Sequence, residues 1–170
     1  MTRTALRGAF ALAATAVLVC ALLLAAAALA AKPKKNAHFK GLTSLPPIEG
    51  FRAPVKFTVA PNGASLEGFT FGSLGCFGAG GFRPGQNPYT GSSLIDAGKL
   101  TVKPNVRFSD KAHAGSTVSN QTTTTEMTIS GAFSTPKKVS GTITFSQKVV
   151  GGGVNSSCGP AKVSFSATAK

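Results

Sequence analysis

The sequence predicts an all-β protein: an antiparallel β-sandwich or small barrel of about seven to eight short strands, preceded by an N-terminal signal helix. Three observations carry that expectation. Apolar residues past position 31 recur with a period of two, and no stretch there keeps a helical period. Turn chemistry, such as Asn62-Gly63 and Ser134-Thr135-Pro136, punctuates the runs. Residues 32–170 hold 31 Leu, Ile, Val or Phe against 31 Ser or Thr, enough for a modest core and a hydroxylated face.

The first 31 residues stand apart. Met1 to Gly8 carries Arg3 and Arg7 and no acid, and from Ala9 to Ala31 the only polar residue is Thr15. A charged start, an apolar middle and the small-residue end Ala28-Leu29-Ala30 make residues 1–31 a secretory signal peptide, cleaved after Ala30 or Ala31. The expected location is secreted or cell-envelope-associated. The alternative is a membrane anchor formed by residues 9–31, long enough to span a bilayer. Lys32, Lys34, Lys35 and Lys40 follow the run, where positive charge favours the cytoplasmic side.

Residues 32–54 contain Pro33, Pro46, Pro47 and Pro54 without an apolar period, and read as a basic linker. The β-domain is expected over 55–170. Val55, Phe57 and Val59 alternate with Lys56 and Thr58, and Phe69 and Phe71 alternate on the return. A three-residue loop, Asn62 to Ala64, sets Phe57 opposite Phe69 and Val55 opposite Phe71. Met127 to Phe145 folds about Ser134 to Lys138 into a second hairpin. Phe133 then meets Val139, Gly131 meets Gly141, Ile129 meets Ile143 and Met127 meets Phe145. The other face pairs Ala132 with Ser140, Ser130 with Thr142 and Thr128 with Thr144. The opposed glycines leave room for a large side chain from a facing sheet. Further strands are expected at 99–103, 105–109, 116–125 and 162–168.

Gly72 to Gly91 is a glycine-rich loop with seven Gly and two Pro, a length that is uncommon unless the loop is functional or tied down. Cys20 leaves with the signal peptide, so the mature chain keeps Cys76 and Cys158. Export to an oxidising exterior and the glycine-flanked loop setting of both predict a disulfide between them.

The stretch with Gly131, Phe133, Val139-Ser140-Gly141-Thr142, the late Cys158 and the closing Val163, Phe165 and Ala167 resembles small secreted two-cysteine β-proteins of high-GC Gram-positive bacteria. The resemblance covers residues 55–170. It implies an antiparallel β-sandwich of uncharacterised function and brings no catalytic residues.

Chemistry-bearing side chains are scarce: five acids, two His, one Tyr and no Trp. Ser109, Asp110 and His113 are triad residue types, yet triads are assembled from separate segments; this run reads as a turn. No pair of Cys or His has zinc-ligand spacing, and no paired carboxylates flank a site. A non-enzymatic module without cofactor or metal is expected. The charge of +13 points to an anionic cell-wall polymer or membrane surface as partner, contacted through Lys32, Lys34, Lys35 and Lys40. Outside the linker the bases look dispersed, and no nucleic acid is expected. The alternative is a carbohydrate-binding or adhesive module that meets a polysaccharide through Phe77, Phe82, Arg83 and Tyr89 in loop 72–91.

Overall fold

Strict alternation along the chain becomes strand after strand. The structure, a computed structural model, describes residues 31–48, 50–76 and 94–170, and residues 82–83 by their backbone. The expected signal segment lies outside the described residues apart from Ala31. The strands are β1 (His38–Thr43), β2 (Pro54–Val59), β3 (Ser65–Gly72), β4 (Gly75–Cys76), β5 (Phe82–Arg83) and β6 (Leu94–Asp96). They continue with β7 (Leu100–Thr101), β8 (Arg107–Val118), β9 (Gln121–Thr135), β10 (Lys138–Gly151) and β11 (Val154–Ala169). No helix occurs among the described residues.

One antiparallel sheet runs in the order β6-β3-β2-β1-β11-β10-β9-β8, with β7 also paired to β3, while β4 and β5 form a separate two-stranded ribbon. Of the expected sandwich or small barrel, the structure takes the barrel form: a single sheet curling on itself, nearly closed. Its aromatic side chains demonstrate the curl. Phe69 of β3 meets Phe165 of β11 with ring centroids 5.6 Å apart, and Phe71 of β3 meets Phe145 of β10 at 5.8 Å. Phe39 of β1 reaches Phe133 of β9 at 5.6 Å. None of these strands are neighbours, so the contacts cross the interior. Phe39, Phe69, Phe71, Phe108, Phe133 and Phe145 are fully buried, and each contributes about 1.5–3 kcal/mol of transfer free energy. Truncating one to Ala costs about 3–5 kcal/mol. The interior is a packed core rather than a ligand chamber.

The Met127–Phe145 hairpin has the expected register at all seven pairs. Its turn is tighter than expected: Thr135 pairs Lys138, so Pro136 and Lys137 alone turn the chain, and Ser134 is the extra residue of a bulge before Phe133 pairs Val139. In the first hairpin Val55 faces Phe71 as expected, but Thr58 pairs Glu67. Gly68, at φ 59°, is the extra residue that shifts the register between them. Phe57 and Phe69 nonetheless stack at 5.4 Å. Phenylalanines do fill the space above Gly131 and Gly141, yet they come from neighbouring strands of the same sheet. Phe108 lies opposite Gly131 and Phe165 opposite Gly141. A Cβ on Gly131 would stand 2.5 Å from Phe108 Cζ, and one on Gly141 2.7 Å from Phe165 Cε1.

Three expectations are corrected. Residues 38–43, read as linker, form β1 at the centre of the sheet between β2 and β11. Ser109, Asp110 and His113 lie inside β8 rather than in a turn. The expected strand 116–125 is interrupted by a turn at Ser119-Asn120, both at positive φ, which joins β8 to β9.

Candidate functional site

Because the interior is filled, chemistry among the described residues falls to the outer face and the open seam of the barrel. Alternation puts Lys40 of β1 and Lys56 of β2 outward, and the ladder sets the two directly opposite each other. Thr70 of β3 flanks Lys56, and Thr168 of β11 flanks Lys40. Lys138 of β10 lies opposite Thr168 in turn. A second outward row carries Glu67, Thr58 and His38. His38 Nδ1 and Thr58 Oγ1 share a hydrogen bond at 2.9 Å. Lys170 follows, its backbone N–H donating to the His38 carbonyl at 3.1 Å. Between the rows runs an open groove of about 540 Å3, lined by Lys40, Lys56, Lys170 and His38, with Glu67 as its one acid among the described residues.

The expected lysines divide. Lys40 stands in the groove, whereas Lys32, Lys34 and Lys35 are exposed on the segment before β1. That segment is held: the Lys34 N–H donates to the Pro136 carbonyl at 2.9 Å, and the Asn36 N–H to the Val59 carbonyl at 3.0 Å. Lys56, Lys138 and Lys170 were read as dispersed, and the fold gathers them. The outward slot between buried Val55 and Phe57 was the available signal for Lys56; the company it keeps is set by long-range pairing.

Of the loop residues, Phe77 and Tyr89 lie outside the described residues. Phe82 and Arg83 form β5, opposite Cys76 and Gly75. Cys76 is bonded to Cys158, Cα to Cα 5.6 Å. With Val149 they make a small apolar cluster apart from the main core. The seam between β6 and β8 leaves a cleft of about 470 Å3, lined in part by Asp96, His113, Ser116, Thr125 and Gln147. Gln147 is buried; its Nε2 donates to Ser73 Oγ at 3.2 Å, and its Oε1 has no partner among the described residues.

The triad types do not converge. Ser109 and His113 point outward from β8, while half-buried Asp110 faces the other way. There its carboxylate accepts the Thr101 N–H. No family model, curated protein or solved structure matches the chain.

Proposed function

We propose that the chain is an exported, non-enzymatic β-barrel module that attaches to the anionic cell envelope, to its wall polymers or its membrane surface, through basic charge. One observation carries the reading. In a chain of +13, Lys40 and Lys56 are placed directly opposite on adjacent strands with hydroxyls, not acids, on both flanks. Like charges so placed work against folding, and an anionic partner relieves them. Export rests on residues 1–31, and the Cys76–Cys158 bond suits an oxidising exterior.

The test is retention on cell-wall preparations and on anionic vesicles across a salt series. Retention should be strong at low ionic strength and fade as the Debye length falls from about 10 Å at 0.1 M to about 3 Å at 1 M. Salt-independent retention, or none, sinks the reading. N-terminal sequencing of exported protein should begin near Ala31 or Lys32; intact Met1 in the membrane fraction selects the anchored form.

A second reading, a carbohydrate-binding module, draws on the seam cleft. Its lining of Asp96, Ser116, Thr125 and Gln147 suits sugar hydroxyls. Neutral polysaccharide bound with no salt response would favour it.

A further inference from the structure

The groove is lined from β1, β2, β3 and Lys170, and the first row continues past it to Thr168 and Lys138. The first row reads Thr70, Lys56, Lys40, Thr168, Lys138 across five consecutive strands, β3 to β10. At 4.7–4.9 Å per strand it is about 19 Å long. It runs across the strands, and the second row, with Glu67, Thr58, His38 and Lys170, lies beside it. A single small anion would use one lysine pair and leave Lys138 idle, and a flat bilayer would meet the rim rather than the groove floor. A thread with a charge at each repeat uses the whole row.

The side-chain types narrow the thread further. Every cation of the first row is Lys, a point charge with rotatable donors that binds phosphate without imposing a planar bidentate geometry. Thr168 sets a hydroxyl between Lys40 and Lys138, and Thr70 sets one beside Lys56, where ester oxygens and polyol hydroxyls find partners. Phe39 and Phe57 line the groove but are buried in the core, so neither offers the stacking platform that nucleic acid uses elsewhere.

The geometry points to a linear polyol-phosphate diester chain as the ligand, laid across β3, β2, β1, β11 and β10 with one phosphate at the Lys56–Lys40 pair and a further one at Lys138. This assignment rests on the anionic-envelope reading and names the partner of the same face.

The experiment titrates full-length exported protein with a synthetic poly(glycerol phosphate) over a salt series. Single-stranded DNA, polyglutamate and anionic vesicles serve as parallel arms. Poly(glycerol phosphate) should bind tightest of the four. K40Q/K56Q should weaken it at least tenfold at low salt and flatten the slope of log K against log salt by about 1.4, since each cation removed accounts for about 0.7 on a single-stranded polyanion. K32Q/K34Q/K35Q, which leaves the row intact, should flatten it less. Circular dichroism of K40Q/K56Q checks that the barrel persists, and K138Q offers an independent variant at the far end of the row. An unchanged slope in both row variants overturns the groove assignment. So does DNA, polyglutamate or vesicle binding as tight as that of the polymer, while general anionic affinity then survives. Failure of the wild type to bind any anionic arm overturns both.

Discussion

Asp110 of β8 accepts a hydrogen bond from the backbone N–H of Thr101 in β7. A carboxylate thereby joins two strands that share no ladder, at the place where the curled sheet would otherwise gape. Just beyond, the Lys103 N–H donates to the Arg107 carbonyl at 2.8 Å, so one side chain and one backbone bond bring β7 to β8. Asp110→Ala should cost about 1.5–2 kcal/mol, the lower part of the range for a hydrogen bond to a charged group, because the site is half-exposed. Asp110→Asn keeps an acceptor and should cost less. Urea denaturation gives the totals, and amide exchange at Thr101 should quicken selectively in the Ala variant. Unchanged protection there would show that the seam is held by something else.

Gly131 and Gly141 test the packing of the aromatic row. Alanine at either position meets a ring edge and a backbone carbonyl: Ser140 O at 2.7 Å for Gly131, Ser130 O at 2.1 Å for Gly141. Each substitution should destabilise by about 1–3 kcal/mol or more. Trimming Phe108 to Leu beside Gly131→Ala should recover part of the loss and not all, since the carbonyl stays in place. Thermal melts of the two singles and the double decide it.

The Cys76–Cys158 bond closes a separation of 82 residues. The chain-entropy model assigns such a loop about 4–5 kcal/mol, comparable to the whole net stability of a small domain. Replacing both cysteines by Ser should lower the urea midpoint by a corresponding amount. Peptide mapping of exported protein without reductant should recover the two cysteines as one linked species; two alkylatable thiols would refute it.

Lys56→Glu should raise stability and abolish binding together. The substitution turns the repulsive Lys40–Lys56 pair into an attractive one, a change of about 0.2–1 kcal/mol on an exposed sheet face. Denaturation midpoints at low salt should rise while retention on anionic polymer falls. A variant that loses both stability and binding would argue against a charge-opposed pair.

The hairpin from Met127 to Phe145 was readable because every inward position on its strands is apolar or Gly and every outward one except Lys138, beside the turn, is small or hydroxylated. β1 was hidden by the reverse pattern. It buries Thr43 and turns Leu42 outward, and its small Gly41 sits where a Cβ would stand 1.8 Å from the Ser166 carbonyl. Alternation scores such a strand as noise. β8 was cut short for a similar reason: its inward side beyond Phe108 carries Asp110, Ala112 and Ala114, which bury little apolar surface. The disulfide needed only counting and compartment logic. The lysine row could not be read along the chain, because Lys40, Lys56 and Lys138 become neighbours through strand order alone, and β1 had to be recognised first. Curling of the sheet depends likewise on which phenylalanines meet across the interior, a relation that no local pattern encodes.

The covalent link between Cys76 and Cys158 makes a ring of the chain between them, with the aromatic strands β1 to β3 and most of β11 hanging outside it. Hydrolysis of any one peptide bond within the ring therefore releases nothing: the two pieces stay tethered, and β8, β9 and β10 remain zipped to their partners. The chain can in this way be clipped once within the ring and keep its lysine-bearing face assembled. Under non-reducing electrophoresis such a nicked molecule migrates as one species, and reductant alone reveals the cut.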